Sequence, residues 1–137
     1  MRKLAFAAAL ILAAVPAQAQ TESTAAASCA NPDVNIAITG CTELIQTAHQ
    51  TKPLLAYAYN NRAWAYHRKG DDQAGLRDVD MALILAPKNA AVIETRAEIY
   101  EKLGKHDQAV ADYRAALQLD PKMTQASDGL KRLGATP

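Results

Sequence analysis

The stretch AYAYNNRAWAYHRKGDDQAGLRDVDMALILAPK, residues 56–88, decides the fold, because residues 90–122, AAVIETRAEIYEKLGKHDQAVADYRAALQLDPK, repeat it without a gap. At a spacing of 34 residues the two share Ala56/Ala90, Arg62/Arg96, Ala63/Ala97, Tyr66/Tyr100, Gly70/Gly104, Asp78/Asp112, Ala82/Ala116, Leu83/Leu117, Leu85/Leu119, Pro87/Pro121 and Lys88/Lys122. In each copy a glycine separates two helical stretches and a proline closes the second. A helix–turn–helix of this size cannot bury its apolar stripe alone, so it must stack on a neighbour. The expected fold is all-α: antiparallel helical hairpins stacked as a short right-handed solenoid, with two full units and flanking helices.

Working outward, residues 33–53 predict one helix from Asp33 to about Gln50. Pro32 and Asp33 suit its start, and Val34, Ile38, Cys41, Ile45 and Ala48 make its apolar stripe. Two registers connect it to the repeat. One counts back 34 residues and sets Pro53 against Pro87. The other sets Ala37, Cys41 and Ile45 against Ala109, Tyr113 and Leu117, with a loop four residues longer, and is favoured because it puts Ile45 rather than His49 in the apolar slot. Helices are expected near 54–69, 73–86, 90–103 and 106–119. A last helix near 124–133, apolar only at Ala126, Leu130 and Leu133, would end the stack in water. Arg62/Asp78 and Arg96/Asp112 are either ion pairs, within a hairpin or to the next, or solvated charges that recur with the duplication.

The pattern small residue, tyrosine, glycine, small residue, aromatic, small residue, proline resembles the tetratricopeptide repeat family. It stands as Ala63, Tyr66, Gly70, Gly75, Val79, Ala82, Pro87, and again as Ala97, Tyr100, Gly104, Ala109, Tyr113, Ala116, Pro121. The organisation so read is a signal peptide at 1–19, a disordered leader at 20–32, a half repeat at 33–53, repeats at 56–89 and 90–123, and a capping helix at 124–134. The resemblance implies that one face of each hairpin's first helix lines a concave groove for a peptide or protein. That face carries Tyr57, Asn60, Asn61, Trp64, His67 and Arg68 in the first repeat. In the second it carries Ala91, Glu94, Thr95, Glu98, Glu101 and Lys102. One half is aromatic, amide-rich and basic, and the other acidic. Trp64 is either an anchor in this groove or a core residue under the preceding helix.

Arg2 and Lys3, the apolar run Leu4–Val15 and the small-x-small triplet ending at Ala19 read as an export signal cleaved before Gln20. On that reading the expected address is a bacterial periplasm or the outside of the cell. Cys29 and Cys41 then form a disulfide, with two free thiols as the alternative, since the spacing of a redox-active pair is absent. A net charge of +1 offers nothing to nucleic acid. The mature chain has no segment of membrane-spanning length. His49, His67 and His106 lack partners at metal-ligand spacing, and no cofactor or nucleophile motif occurs. The expected function is therefore non-enzymatic: an adaptor or assembly factor of the cell envelope. The alternatives are a self-associating protein, including a weak homodimer, and a non-catalytic accessory subunit of an envelope enzyme or secretion system.

Overall fold

The structure, a computed structural model, describes residues 17–47 and 50–136. Most of the export signal, together with Ala48 and His49, lies outside the described residues. Seven helices follow one another in the described chain: α1 (Ala17–Cys29), α2 (Val34–Gln46), α3 (Lys52–Lys69), α4 (Asp72–Leu85), α5 (Ala90–Lys102), α6 (His106–Leu119) and α7 (Thr124–Arg132). No strand is present among the described residues. Each helix packs most closely on its chain neighbours, giving the hairpins α1/α2, α3/α4 and α5/α6 with α7 at the end.

Local chemistry sets the helix ends. Asp33 accepts from the Asn35 and Ile36 amides, Asp71 from Ala74, and Asn89 from Ala91 and Val92, so each polar side chain satisfies donors that a first turn leaves open. Gly70 and Gly104 turn the chain with φ of 92° and 70°. At Gly70 the Asp71 amide donates to the Tyr66 carbonyl, closing the helix in the left-handed conformation that glycine adopts without cost.

Inside the hairpins the small repeated residues lie at the helix crossings. Ala63, Ala82, Ala97, Ala109 and Ala116 are fully buried, and so is Tyr113. Both recurring Arg/Asp pairs form within their own hairpins. Arg62 Nε and Nη2 donate to Asp78 at 2.7 and 2.8 Å, and Arg96 Nε and Nη2 to Asp112 at 2.7 and 2.9 Å. Each arginine also reaches the preceding unit: Arg62 Nη1 donates to Thr42 Oγ1 at 3.0 Å, and Arg96 Nη1 lies 3.6 Å from Asp80. The pairs thus join the two helices of a hairpin and touch the hairpin before it.

The N-terminal region departs from expectation. Residues 20–32 are not an irregular leader; most of them belong to α1, which makes a complete hairpin with α2 rather than leaving it a half repeat. The bond between Ala19 and Gln20 lies inside that helix. Alanine-rich sequence favours helix strongly, and α1 contacts its partner along a thin line, Ala25 and Cys29, both buried. Two positions four residues apart make too faint a stripe for periodicity to reveal. Cys29 and Cys41 are joined by a disulfide. Helix α2 stops at Gln46, earlier than expected, and α3 starts at Lys52.

Burial settles the register of this first unit. In α2 the buried residues are Ala37, Gly40, Cys41 and Leu44. They stand 38 residues before Gly75, Asp78, Val79 and Ala82, all buried in α4. The longer spacing holds. Gly40 occupies the place of Asp78, and Thr24 the place of Arg62. The first hairpin therefore lacks the ion pair and carries the disulfide instead. A side chain at residue 40 would run into the Ser28 Cβ, so glycine is what lets α1 approach α2.

Candidate peptide-binding groove

Helices α1, α3, α5 and α7 are the first members of successive units, and their inner faces form the concave side. Trp64 stands at its centre, 39% exposed, with its ring centroid 5.4 Å from that of His67. Three adjoining hollows share it. The first lies between the α1–α2 turn and α3, bounded by Asn31, Pro32, Tyr57, Asn61, Trp64 and Arg68. A second, of about 290 Å³, lies between α3, α5 and α7, lined by Asn60, Asn61, Trp64, Glu94, Glu98 and Gln125, among others. The third continues past His67, Glu98, Glu101 and Lys102 to Arg132. The face is therefore continuous over nine residues singled out from sequence: Tyr57, Asn60, Asn61, Trp64, His67, Arg68, Glu94, Glu98 and Glu101.

These residues are not equally free. His67 Nδ1 lies 2.6 Å from Asp72 Oδ1, fixing the ring against the start of α4. Arg68 donates to the Pro32 carbonyl at 3.0 Å and holds the α1–α2 turn against α3. Glu101 belongs to a network. Arg132 Nε and Nη2 donate to its two oxygens at 2.9 Å each, and the Tyr113 hydroxyl donates to Oε2 at 2.6 Å. Arg132, and then the Tyr113 bond, hold the Glu101 carboxyl below its ordinary range, while burial first and then Glu101 push the Tyr113 phenol up. Glu101 is thus a clamp for α7 rather than an open acid.

Glu94 behaves oppositely. Burial, reinforced by the negative charge of Glu98, raises its carboxyl to about 8. Among the described residues no lysine, arginine or histidine makes an ion pair with either Glu94 or Glu98. The Asn60 Oδ1 is buried without a hydrogen-bond partner. Sequence reasoning missed Gln125 and Arg132 of α7, and Asn31 and Pro32 of the first turn. The i, i+7 spacing of Gln125 and Arg132 places both on one helix face and was the available signal. Among the described residues no group of three or more His, Cys, Asp or Glu could hold a metal ion, and no helix is long and apolar enough to cross a membrane.

The tetratricopeptide repeat family profile matches residues 50–132, more than half of the chain. The chain belongs to the tetratricopeptide repeat family. The human mitochondrial import receptor subunit TOM34 is 35% identical over 75 residues, which are 55% of this chain and 24% of that protein. This chain therefore spans about a quarter of that relative's length. The tetratricopeptide domain of Arabidopsis OM64 superposes with a TM-score of 0.71 at 28% identity, covering 86% of this chain and 94% of that one. The first tetratricopeptide domain of Spaghetti (RPAP3), bound to the HSP90 peptide SRMEEVD, shares the fold with a TM-score of 0.71 at 20% identity, covering 85% and 90%.

These matches overturn the expected periplasmic or secreted address. The curated relative is a human mitochondrial import receptor subunit and the matched domain is a plant one; neither is described as exported. The physical reason is that the repeat register, which carries the similarity, is indifferent to compartment. The export reading rested on residues 1–19, outside the repeats.

Proposed function

We propose that this chain is a non-catalytic protein-interaction module, an adaptor or assembly factor. It holds an extended peptide or a partner's segment along the concave face centred on Trp64. The repeats at 56–89 and 90–123 supply the walls, the unit before them supplies the first rim, and the segment 124–134, with α7, closes the far end. The observation that carries this reading is the position of Trp64: a large aromatic side chain left part-exposed where three hollows meet, flanked by Asn60 and Asn61, whose amides can pair with a ligand backbone. Family membership supports it, since this architecture presents surfaces rather than catalytic pockets. The RPAP3 domain is seen with a peptide. The hollows are shallow, which suits micromolar affinity.

The test is site-specific photocrosslinking. A photoreactive residue at Tyr57 or Asn61 should give adducts with one identified partner. The same probe at Ile84, 73% exposed on α4, should not. Trp64→Ala should abolish the adducts while leaving helicity intact. Adducts from Ile84 alone would show that the partner docks elsewhere.

A further inference from the structure

We propose that the hollow between α3, α5 and α7 takes a lysine or arginine side chain from a basic segment of the partner. This names the partner's chemistry and rests on the groove reading above. The charged groups that line the hollow are both acids, set among the amides of Asn60, Asn61 and Gln125. Glu94 and Glu98 stand one turn apart on α5 and turn their carboxylates into the same space. The Asn60 Oδ1 on the facing helix is buried with nothing donating to it, a condition that proteins rarely tolerate without a ligand or water. Trp64 offers an aromatic face, which attracts a cation through its quadrupole. The Thr95 hydroxyl donates to the Ala91 carbonyl at 3.0 Å and is not free to turn into the hollow.

Among the described residues, the chain's own cations do not fill this demand. Arg132 is tied to Glu101 and Tyr113, and His67 is held by Asp72. Lys102 lines the neighbouring hollow, and no ion pair joins it to Glu94 or Glu98. Burial first, and then the neighbouring Glu98, raise the Glu94 carboxyl, and the charge of Arg132 offsets them only in part. A guanidinium or ammonium would relieve that repulsion, donate to Asn60 and stack on Trp64. An acidic segment would bring further negative charge against Glu98 and favour the protonated form of Glu94 still more. This hollow is thus suited to the opposite ligand from the acidic peptide SRMEEVD held by the RPAP3 domain.

Trp64 is the chain's single tryptophan, so its emission reports on the hollow directly. Terminally blocked hexalysine and hexaglutamate are titrated against the full chain at moderate salt. Hexalysine should shift the emission saturably, and hexaglutamate should not. The double variant Glu94→Gln/Glu98→Gln should bind hexalysine at least about tenfold more weakly. It should also keep or raise its denaturation midpoint, which separates lost binding from lost fold. Asp107→Asn/Asp128→Asn replaces two carboxylates at exposed positions outside the groove and should change binding less than about twofold. Failure of hexalysine to bind overturns the inference, as does equal binding of hexaglutamate or unchanged binding by the double glutamine variant. In the last two cases Trp64 still reports a ligand and the groove reading stands. Crosslinks confined to Ile84 would remove both.

Discussion

Two aspartates near the arginines show how burial decides what a charge is worth. Asp78 is 6% exposed and accepts two parallel hydrogen bonds from Arg62. Asp80 is largely exposed and lies 3.6 Å from Arg96. Removing Asp78 leaves a part-buried guanidinium unpaired, so Asp78→Ala should cost about 2–4 kcal/mol in urea denaturation. Asp80→Ala should cost no more than about 0.5 kcal/mol. Glu94 gives a residue-scale prediction of the other sign. Its folded-state carboxyl titrates near 8, above the unfolded value near 4.5. Folding therefore favours the protonated acid: the gain is complete below about pH 4.5 and is lost as pH rises through about 8. Glu94→Gln should remove that slope and stabilise the protein at pH 9 relative to the parent, by on the order of 1 kcal/mol after solvent screening. Thermal melts at pH 5 and pH 9 provide the comparison. The recurrence of the Arg/Asp pairs was visible in the sequence. The fate of Glu101 was not, because its partners Arg132 and Tyr113 lie 31 and 12 residues away and follow no repeat.

Among the helices, α1 buries the fewest of its described residues. Its buried residues are Ala25 and Cys29, and one covalent bond connects it to α2. Reducing that bond should cost about 2–3 kcal/mol through the freedom restored to the short loop between the cysteines. Hydrogen exchange should then show α1 losing protection while α3–α6 keep theirs. Equal protection in oxidised and reduced protein would mean that packing alone seats the helix. The contrast with α3 and α5 explains what could be read beforehand. Those helices announce themselves through Ala63, Tyr66 and Gly70 and their repeats, because small and large residues must alternate where helices cross. In α1 the same place is taken by Ala25 within a run of small polar residues, and Thr24 and Gly40 stand where the ion pair would be. With neither charge nor periodicity to mark it, the helix shows in the sequence only as an alanine-rich run.

At the scale of the whole molecule, a stack this short depends on its ends. Helix α7 covers Ala97, Ala109, Tyr113 and Ala116 with Ala126 and Leu130, in one apolar cluster. Gly129 rests against the Tyr113 ring so closely that any side chain would collide with it. Gly129→Ala should therefore lift α7 and destabilise the second repeat by about 1–3 kcal/mol, seen as a lower urea midpoint and an exposed tyrosine. The stack itself was legible because its register repeats. The groove was legible in part: helical spacing put nine residues on one face, but the third wall, with Gln125 and Arg132, comes from outside the repeats.

The central claim is that this concave face, with Trp64 at its middle, is where partners are held. Peptides selected from a random display library against the full chain, then titrated into isotope-labelled protein, test it most directly, since the single tryptophan gives one indole resonance. The account predicts that the indole signal and the side-chain amides of Asn60 and Asn61 shift together and saturate with each selected peptide. Shifts confined to Met81, Ile84 and their neighbours on α4, with the indole unmoved, would contradict it.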